Sequence, residues 1–346
     1  MEQDSNGIEK LQKLLLKAKS IQLEISSVLD DVLKNKRSIS DEKRKSLFAL
    51  RSFLCMPRLN HRHHQFIESF QSASYRFQRI AQAGVIKRAE ASPPRTINVK
   101  DRGRRFAHEL GLPVPHVEVA GDLDSVEIAD LCVLKPRQSD GGKCIYAPVL
   151  KFDGGVEDLF SGQEYRSALD FKDKVRQDFQ RLRVRTDEWF KEEAIVGSGG
   201  SPRETFDVKF YCFYGKVGIV FQIDRWGGRR FADFDMNGRP VDSGKHPVDP
   251  NMQPVFGGDL VKQAEEISSK VPWPHVRIDF LVSDVDVRFG EFTLRPGSPG
   301  TFSDEWDRRL GRLFVEAQAR LYEDLMGGKV FPEYQRAVSE LGGSAY

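Results

Sequence analysis

Two carboxylates late in the chain, Asp279 and Glu291, are the residues best placed to do chemistry. They lie in RIDFLVSDVDVRFGEFTLRPG, which predicts two strands, Arg277–Val282 and Val287–Leu294, joined by a short turn. Folding this hairpin about Val285 places Asp279 opposite Glu291. Opposed carboxylates repel across a sheet unless a cation lies between them, and one or two carboxylates with phosphate oxygens are typical Mg²⁺ ligands. The pattern therefore predicts a magnesium site that also binds phosphate.

The alternation of side chains separates a charged face of this hairpin from an apolar face. Because successive side chains of a strand point to opposite faces, one face carries Arg277, Asp279, Glu291 and Thr293. The other face carries Ile278, Phe280, Phe292 and Leu294. The apolar face predicts that the hairpin packs on one side. A solvated acidic face balanced by Arg277 is the alternative to a metal site.

The composition is that of a globular protein. The chain has 346 residues, of which 39% are hydrophobic and 30% charged, so we expect two or three domains with a real core. The N-terminus MEQDSNG lacks the features of a signal peptide, and no apolar run reaches the ~18 residues of a membrane span. The four cysteines are scattered without a CxxC, which argues against zinc and disulfides. We expect a cytoplasmic protein without membrane insertion.

Charge and periodicity distinguish the N-terminal part. Residues 1–95 carry 18 Lys/Arg and 10 Asp/Glu, net +8, whereas the remainder is net −6. Apolar residues at helical spacing predict an α-helical domain over 1–90, with helices over 7–36, to about Leu54, and over His63–Ala83. A basic helical surface favours docking of a partner or a second copy of the chain, although a solvated face is the simpler alternative.

After the linker-like Ser92-Pro93-Pro94, the pattern changes to alternating strands and helices. The main domain is expected over about 95–330, and 331–346 is expected to be a C-terminal tail. The predicted helices are Lys100–Leu110, Phe171–Phe179, Leu260–Val271 and Glu305–Met326. The predicted strands before the hairpin are Leu131–Lys135, Cys144–Val149, Glu192–Val196, Phe206–Phe213 and Val217–Asp224.

Several polar residues in this domain are candidates for binding a nucleotide. Lys135 ends a strand and precedes a turn containing Gly141 and Gly142, whose backbone N–H groups can bind phosphate oxygens. Lys100 opens a helix and is a second candidate phosphate contact. The strand expected over 192–196 begins with acidic residues that could face an adenine, or could be an exposed edge. Asp207, Lys209 and Arg225 lie on the hairpin over 206–225, with the first two on one face.

This ordered set resembles the ATP-grasp superfamily, and within it the branch named for teichuronopeptide biosynthesis. The resemblance covers about 95–330 and is carried by VKDRGRRFAHELGLPVP, VLKPRQSDGGK, KEEAIVG, DVKFYCFYGKV with IDRW, and VRIDF with FGEFTLRPGSPG and DEWDRRLG. It implies an α+β ATP-grasp fold, in which two α+β subdomains, about 115–195 with a flap and about 196–330 with the metal and substrate sites, clasp ATP. Residues 1–90 do not match.

The resemblance implies an ATP- and Mg²⁺-dependent carboxylate–amine ligase that forms an acyl phosphate and ADP. Its partners would be a small carboxylate and an amine, glycan- or peptide-borne, as when an amino acid is joined to a uronic acid of a polysaccharide or to a peptide. A kinase of the same fold and a partner-binding scaffold with a degenerate site are the alternatives. Nucleic acid is not expected, since the body is net acidic and carries no known binding module.

The resemblance also assigns roles to individual residues. ATP would be bound by Lys100, Lys135, Gly141, Gly142, Glu192, Glu193, Ile195 and Asp207. Magnesium would be bound by Asp279, Glu291 and Thr293. The transferring group would be stabilised by Arg277 and Arg295, assisted by Lys209 or Arg225. Thr293 stands where these enzymes usually place Asn, which puts a second metal ion in doubt.

Overall fold

The chain divides into two compact units, Met1–Ile67 and Glu68–Tyr346. The computed structural model describes residues 74–88, 92–137, 144–182, 184, 186–226, 229–297 and 302–339, together with 13, 17 and 24. Those three residues, Lys13, Lys17 and Glu24, are helical. The rest of the N-terminal helices predicted before residue 74, and the predicted flap glycines 141 and 142, lie outside the described residues.

The second unit mixes helices and antiparallel strands, as expected for an α+β domain. Its helices are α1 (Tyr75–Arg88), α2 (Pro93–Thr96), α3 (Lys100–Glu109), α4 (Ala168–Arg181), α5 (Gly258–Ser269), α6 (Asp304–Met326) and α7 (Pro332–Ser339), with a 3₁₀ turn at Pro202–Glu204. Its strands are β1 (Val117–Gly121), β2 (Cys132–Pro136), β3 (Pro148–Leu150), β4 (Val156–Asp158), β5 (Gln163–Tyr165), β6 (Trp189–Glu193), β7 (Phe206–Cys212), β8 (Val217–Asp224), β9 (Arg230–Phe234), β10 (Val276–Val282) and β11 (Val287–Thr293). In the described residues no helix has the length and apolarity needed to cross a membrane.

Most predicted helices and strands are confirmed within a few residues, but two strands are displaced and four others, β1, β4, β5 and β9, were not predicted. The strand expected over Cys144–Val149 runs over Pro148–Leu150. The strand expected over 192–196 instead runs over Trp189–Glu193, where Trp189 pairs with Pro136 and Phe190 with Lys135. Both aromatic side chains are buried. Their burial stabilises a strand at this earlier position in the chain. The acidic residues at the start of the predicted strand did not indicate this effect.

A five-stranded antiparallel sheet, ordered β11-β10-β7-β8-β9, forms the centre of the unit. One of its faces is largely apolar and is covered by α3 and α5. Its buried Gln222 is opposite Val208 and is satisfied by the Gln253 carbonyl and the Val255 N–H. The apolar residues of this face are Val208, Phe210, Cys212, Val220, Ile278, Phe280 and Phe292, which pack with Phe106, Val261, Ala264 and Ile267 of the helices. The even-numbered positions of β7 and β10 thus all point into one core, as the period of two requires.

The opposite face of the same sheet has two different halves. One half is aromatic, with Tyr211 and Phe221 packed beneath α6 and against Tyr75 at the start of α1. The other half carries the charged residues of β7 and β10. Because the helices cover only the aromatic half, the charged half is left as the wall of a cleft.

Two small sheets lie beside the large one, ordered β1-β6-β2 and β3-β4-β5. They share a core with α4, formed by Leu134, Tyr146, Phe171, Val175 and Trp189. This part contains β2 and with it Lys135, whereas Lys100, the other lysine predicted to bind phosphate, opens α3 on the large sheet.

Helices α1 and α7, at the two ends of the second unit, both pack on the main domain. Tyr75 of α1 is 1% exposed, and its ring lies 5.6 Å from that of Phe302. Tyr334 of α7 lies 6.1 Å from Phe106 and bonds Thr96 through its hydroxyl at 3.0 Å. The segment expected to be a C-terminal tail therefore contains a packed helix, and α1 belongs to the body.

The packing of α1 predicts where the chain can be shortened. We expect a protein that begins at Glu68 to fold, and one that begins at Ser92 to be strongly destabilised because it lacks Tyr75. Tyr75→Ala should lower the free energy of unfolding by about 3–5 kcal/mol, the usual cost of removing a buried aromatic ring. Urea unfolding measures this, with Ile80→Ala on the exposed side of α1 as the control. Equal stability of Tyr75→Ala and Ile80→Ala would contradict the prediction.

Candidate active site

Four charged residues of β7 and β10 form a buried network on the charged half of the sheet. Lys209 donates from Nζ to Asp279 Oδ2 at 2.5 Å and lies 3.6 Å from Asp207 Oδ2. Arg277 donates to both oxygens of Asp279, from Nε at 2.6 Å and from Nη2 at 2.7 Å. Arg225, at the end of β8, extends the network by donating from Nε to Asp207 at 2.5 Å. Each buried carboxylate therefore has two cationic partners.

Three oxygens converge on a single nitrogen of Arg277. Its Nη2 lies 2.7 Å from Asp279 Oδ2, 2.7 Å from Glu291 Oε1 and 2.9 Å from Thr293 Oγ1. Asp279 and Glu291 are opposed in the register, as are Arg277 and Thr293, which confirms the predicted pairing of the hairpin. The three side chains predicted to bind a metal are thus brought together around one positive charge.

This pairing depends on a β-bulge at Gly290. Next to the turn, Val282 pairs with Val287 and Phe280 with Phe289, a register that would place Asp279 opposite Gly290. The register shifts between Asp279 and Phe280, so that Glu291 becomes the partner of Asp279. Without the extra residue, Glu291 would share the apolar face with Ile278. A β-carbon on Gly290 would lie 3.1 Å from the carbonyl oxygen of Asp279, so the bulge is closely packed.

The predicted phosphate-binding residues border a narrow cleft next to Glu291. Lys100, Arg104 and Lys135 line it, together with Gly290 and Glu291. Lys135 and Arg104 both donate to the same oxygen of Glu192, whereas Lys100 contacts the carbonyl of Pro136 at 3.4 Å. Glu192 therefore forms ion pairs with two of the three basic residues that line the cleft.

Arg104 was missing from the sequence-based candidates. A signal for it exists, since Arg104 follows Lys100 by four residues in α3 and the two therefore share a face of the helix. What the sequence did not reveal is that this face turns toward Lys135. That proximity follows from the packing of α3 against β11, which is a long-range contact.

The remaining predicted residues lie around this centre with different exposure. Glu193 is exposed and accepts the His116 N–H at 3.1 Å, and Ile195 is buried with its carbonyl bonded to Thr205 Oγ1 at 2.7 Å. Arg295 is exposed and lies in the bend that follows β11. Glu193 and Ile195 flank the end of β6, and their predicted role toward an adenine stays a prediction.

Electrostatics act in opposite directions on the two buried carboxylates and on Lys100. Burial raises the pKa of Asp207, but Lys209 and Arg225 outweigh it and hold that pKa at about 2. Burial likewise opposes ionisation of Asp279, and the charges of Arg277 and Lys209 nevertheless lower its pKa. Burial, and then the neighbouring Lys135, lowers the pKa of Lys100. The two buried carboxylates are therefore ionised at neutral pH, whereas burial and the crowding of cations in the cleft disfavour charge on Lys100.

The donor set fits a magnesium ion. Carboxylate and hydroxyl oxygens are the hard ligands that Mg²⁺ takes, and the convergence of three of them on Arg277 Nη2 demonstrates that they can share one cation. Among the described residues no cluster of three His, Cys, Asp or Glu side chains is present that could enclose a metal unaided. Asp279, Glu291 and Thr293 would therefore hold the ion together with oxygens of a bound phosphate.

A family model described as TupA-like ATP-grasp matches residues 85–315. The chain belongs to the TupA-like ATP-grasp family. This membership confirms the resemblance seen in the sequence and with it the ATP-grasp fold. The match includes the charged hairpin, the basic residues of α3 and β2, and the first part of α6, whereas most of α1 precedes it. No curated protein gives a significant match to this sequence.

Solved structures similar to this ATP-grasp chain include three enzymes of low sequence identity. The ATP-grasp ligase PsnB, complexed with minimal precursor, Mg and ADP, is 15% identical with a TM-score of 0.36, and the match covers 65% of this chain and 59% of PsnB. D-alanine–D-alanine ligase from Bacillus anthracis, complexed with ATP, is 12% identical with a TM-score of 0.36, covering 66% of each chain. The macrocyclase MdnC from Microcystis aeruginosa MRC, bound with precursor peptide MdnA, is 12% identical with a TM-score of 0.38, covering 76% of this chain and 75% of MdnC. The match thus spans less than two thirds of PsnB.

The bulge predicts a selective effect of Gly290→Ala. The added methyl group would press on the Asp279 carbonyl, so we expect a loss of about 1–3 kcal/mol in the free energy of unfolding, as for other overpacked sites. Gly258→Ala is the matched control, because nothing lies within 4 Å of the added atom. Urea unfolding of both variants measures the difference. If Gly290→Ala is as stable as Gly258→Ala, the close packing of the bulge does not exclude a side chain at position 290.

The low pKa of Asp207 predicts a pH-dependent contribution to stability. Its folded pKa of about 2 lies below the ordinary value near 4, so its stabilising effect is fully present above pH ~4 and is lost as the pH falls toward 2. Asp207→Asn should cost about 3 kcal/mol at pH 6, for about 2 pKa units at ~1.4 kcal/mol each, and progressively less below pH 4. Urea unfolding from pH 6 to pH 2 tests this.

The control for this pH series is Asp242→Asn, which removes one charge from a turn where the carboxylate accepts the Gly244 N–H. It should show a small effect without the same decline. A cost of Asp207→Asn that stays constant down to pH 2 would contradict the assignment.

Proposed function

We propose that this protein is an ATP- and Mg²⁺-dependent carboxylate–amine ligase that releases ADP and phosphate. The observation that carries the proposal is the convergence of Asp279, Glu291 and Thr293 oxygens on one cationic position. That position adjoins a cleft lined by Lys100 and Lys135. Membership of an ATP-grasp family supports the same assignment.

The basic cluster supplies the binding of phosphate. Lys100, Lys135 and Arg104 line one cleft, where their positive charges would hold the phosphate oxygens of the nucleotide. Glu192 fixes two of these cations and so pre-orients them before the nucleotide binds. Because the donors are already positioned, less reorganisation is needed when charge develops during the reaction.

In the proposed reaction the substrate carboxylate attacks the γ-phosphate, and the bond from that phosphorus to ADP breaks. An amine then attacks the acyl phosphate, a C–N bond forms, and phosphate leaves. Magnesium, when bound, neutralises charge on the phosphate oxygens. Arg277 and Arg295 would donate hydrogen bonds to the transferring phosphoryl group, and Lys209 or Arg225 would assist.

The buried network keeps Arg277 in place for this role. Lys209 and Arg277 both donate to Asp279 Oδ2, and Arg225 donates to Asp207. Phosphoryl transfer depends mainly on positioning and on charge stabilisation, so a guanidinium held by two bonds to one carboxylate suits the task. The site needs no nucleophile from the protein.

The substrates are proposed from the family resemblance. We propose an amino acid joined to a uronic acid of a polysaccharide or to a peptide, with ATP clasped between subdomains over about 115–195 and 196–330. Adenine would then lie near Glu193 and Ile195, at the end of β6, and the turn with Gly141 and Gly142 would close over the phosphates.

The proposal predicts that nucleotide binding depends on magnesium and on Glu291. Calorimetry with ATP should show affinity that rises when Mg²⁺ is added, and Glu291→Ala should reduce that affinity at least ~10-fold, because removing a carboxylate ligand loses more than about 1.4 kcal/mol. Glu316→Ala, which removes an exposed carboxylate paired with Lys216 at 3.3 Å, is the matched control.

Product analysis then identifies the reaction. We expect ADP and phosphate, and a hydroxamate when hydroxylamine is added to trap the acyl phosphate. Release of AMP would overturn the ligase assignment. ADP with a phosphorylated hydroxyl and no hydroxamate would instead identify a kinase of the same fold.

A further inference from the structure

The backbone on both sides of Arg295 is fixed by residues from the N-terminal part of the second unit. Leu294 donates its N–H to Asn98 Oδ1 at 2.8 Å, and Pro296 accepts from Arg79 Nη2 at 3.1 Å. Leu294 and Pro296 are buried, whereas the Arg295 side chain between them is exposed. Residues 294–296 are therefore held by two long-range hydrogen bonds to their backbone, while the side chain of Arg295 stays exposed and can reach a ligand.

Arg79 is itself fixed by a chain of hydrogen bonds through the aromatic half of the sheet. Its Nη1 contacts the Tyr75 hydroxyl at 3.3 Å, and that hydroxyl lies 2.8 Å from His275 Nε2. His275 Nδ1 lies 2.9 Å from the carbonyl of Cys212, which can only accept, so Nδ1 carries a proton. Burial lowers the pKa of His275, which leaves Nε2 to accept from Tyr75 and the Tyr75 oxygen to accept from Arg79.

The direction of every bond in this chain is thus defined. Arg79 donates to Tyr75, Tyr75 to His275, and His275 to Cys212 at the end of β7. His275 lies immediately before β10, two residues before Arg277. The same chain therefore joins Pro296, beside Arg295, to both strands of the buried charged network.

We infer that Arg79 is a positioning residue for Arg295. By holding the Pro296 carbonyl it sets the backbone from which Arg295 reaches the transferring phosphoryl group, and in this respect the inference rests on the proposed function. Arg79 precedes residues 85–315, which the family model matches, so this contact comes from a segment that the model does not include.

The test compares two magnesium–nucleotide complexes that differ by the γ-phosphate. Affinities for ADP and for the non-hydrolysable analogue AMPPNP are measured by calorimetry for the wild type, Arg79→Ala, Arg295→Ala and the double variant. We expect each single variant to weaken AMPPNP binding about 3- to 10-fold with little change for ADP, the size of one charge-assisted contact. The double variant should be no weaker than Arg295→Ala alone, because residues that act through one contact are not additive.

The matched control is Arg320→Ala. Arg320 also donates from its guanidinium to backbone carbonyls, those of Phe213 at 2.7 Å and Tyr214 at 3.2 Å, at the far end of β7 from Asp207. This variant should lose stability in urea without changing the ratio of the two affinities. Arg79→Lys keeps a cation and a donor, so it should bind AMPPNP more tightly relative to ADP than Arg79→Ala does. If Arg79→Ala does not fold, Arg79→Lys takes its place in the comparison.

A readout without nucleotide separates this inference from the proposed function. Hydrogen exchange of the Arg295 and Gly297 amides should be faster in Arg79→Ala than in the wild type and in Arg320→Ala. Unchanged exchange, equal losses for ADP and AMPPNP, or additive losses in the double variant would each overturn the positioning role. If exchange rises as expected while the wild type binds neither nucleotide, the proposed function fails and the backbone contact alone stands.

Discussion

The buried charges on one half of the five-stranded sheet are the constraint on which the rest of the site depends. Asp207, Lys209, Arg277 and Asp279 lie where water is largely excluded, so removal of any one leaves an uncompensated buried charge, which typically costs about 3–5 kcal/mol. Arg225 and Glu291 complete the set, giving three positive and three negative groups. These charges balance only when β7 lies beside β10 and β11 pairs with β10, which brings Glu291 to Arg277. The charge pattern and the strand order therefore specify each other.

The same alternation of side chains explains why a cleft lies here. The odd-numbered residues of β7 begin with Asp207 and Lys209 and continue with Tyr211, so one face of a single strand changes from charged to aromatic. Helix α6 and the start of α1 bury the aromatic half, since large rings gain most from leaving water. A helix over the charged half would have to desolvate six charges without an equivalent gain. That half is therefore left to a ligand whose own charges can replace water.

Local patterns in the sequence predicted most helices and four of the five strands of the large sheet, and long-range contacts account for part of what they missed. The charged and apolar faces of the last hairpin follow from alternation alone, and Asp279 opposite Glu291 follows from folding about Val285. Next to the turn the observed register differs from the predicted one by one residue, because Val282 pairs with Val287. The bulge at Gly290 then restores the predicted pair of Asp279 with Glu291. The ion pairs of Glu192 with Arg104 and Lys135 join α3, β2 and β6, which no periodicity connects. The displaced strand over Trp189–Glu193 has the same origin, because the burial of Trp189 depends on residues from α4 and β2.

If Asp279, Glu291 and Thr293 hold a magnesium ion as proposed, Arg277 and that ion would compete for the same three oxygens, and the geometry indicates how both could be accommodated. Nη2 makes every contact to Glu291 and Thr293, whereas Nε independently bonds Asp279 Oδ1. Withdrawal of Nη2 would therefore leave the guanidinium attached to Asp279 by one charged hydrogen bond, with its remaining donors turned outward. A cation held between Asp279, Glu291 and Thr293 would replace the charge of Nη2, so the buried carboxylate of Asp279 would keep a counter-charge. The donors freed from Arg277 would be suited to phosphate oxygens, and exchange of partners within a neutral cluster would avoid most of the desolvation that a new buried ion pair would cost.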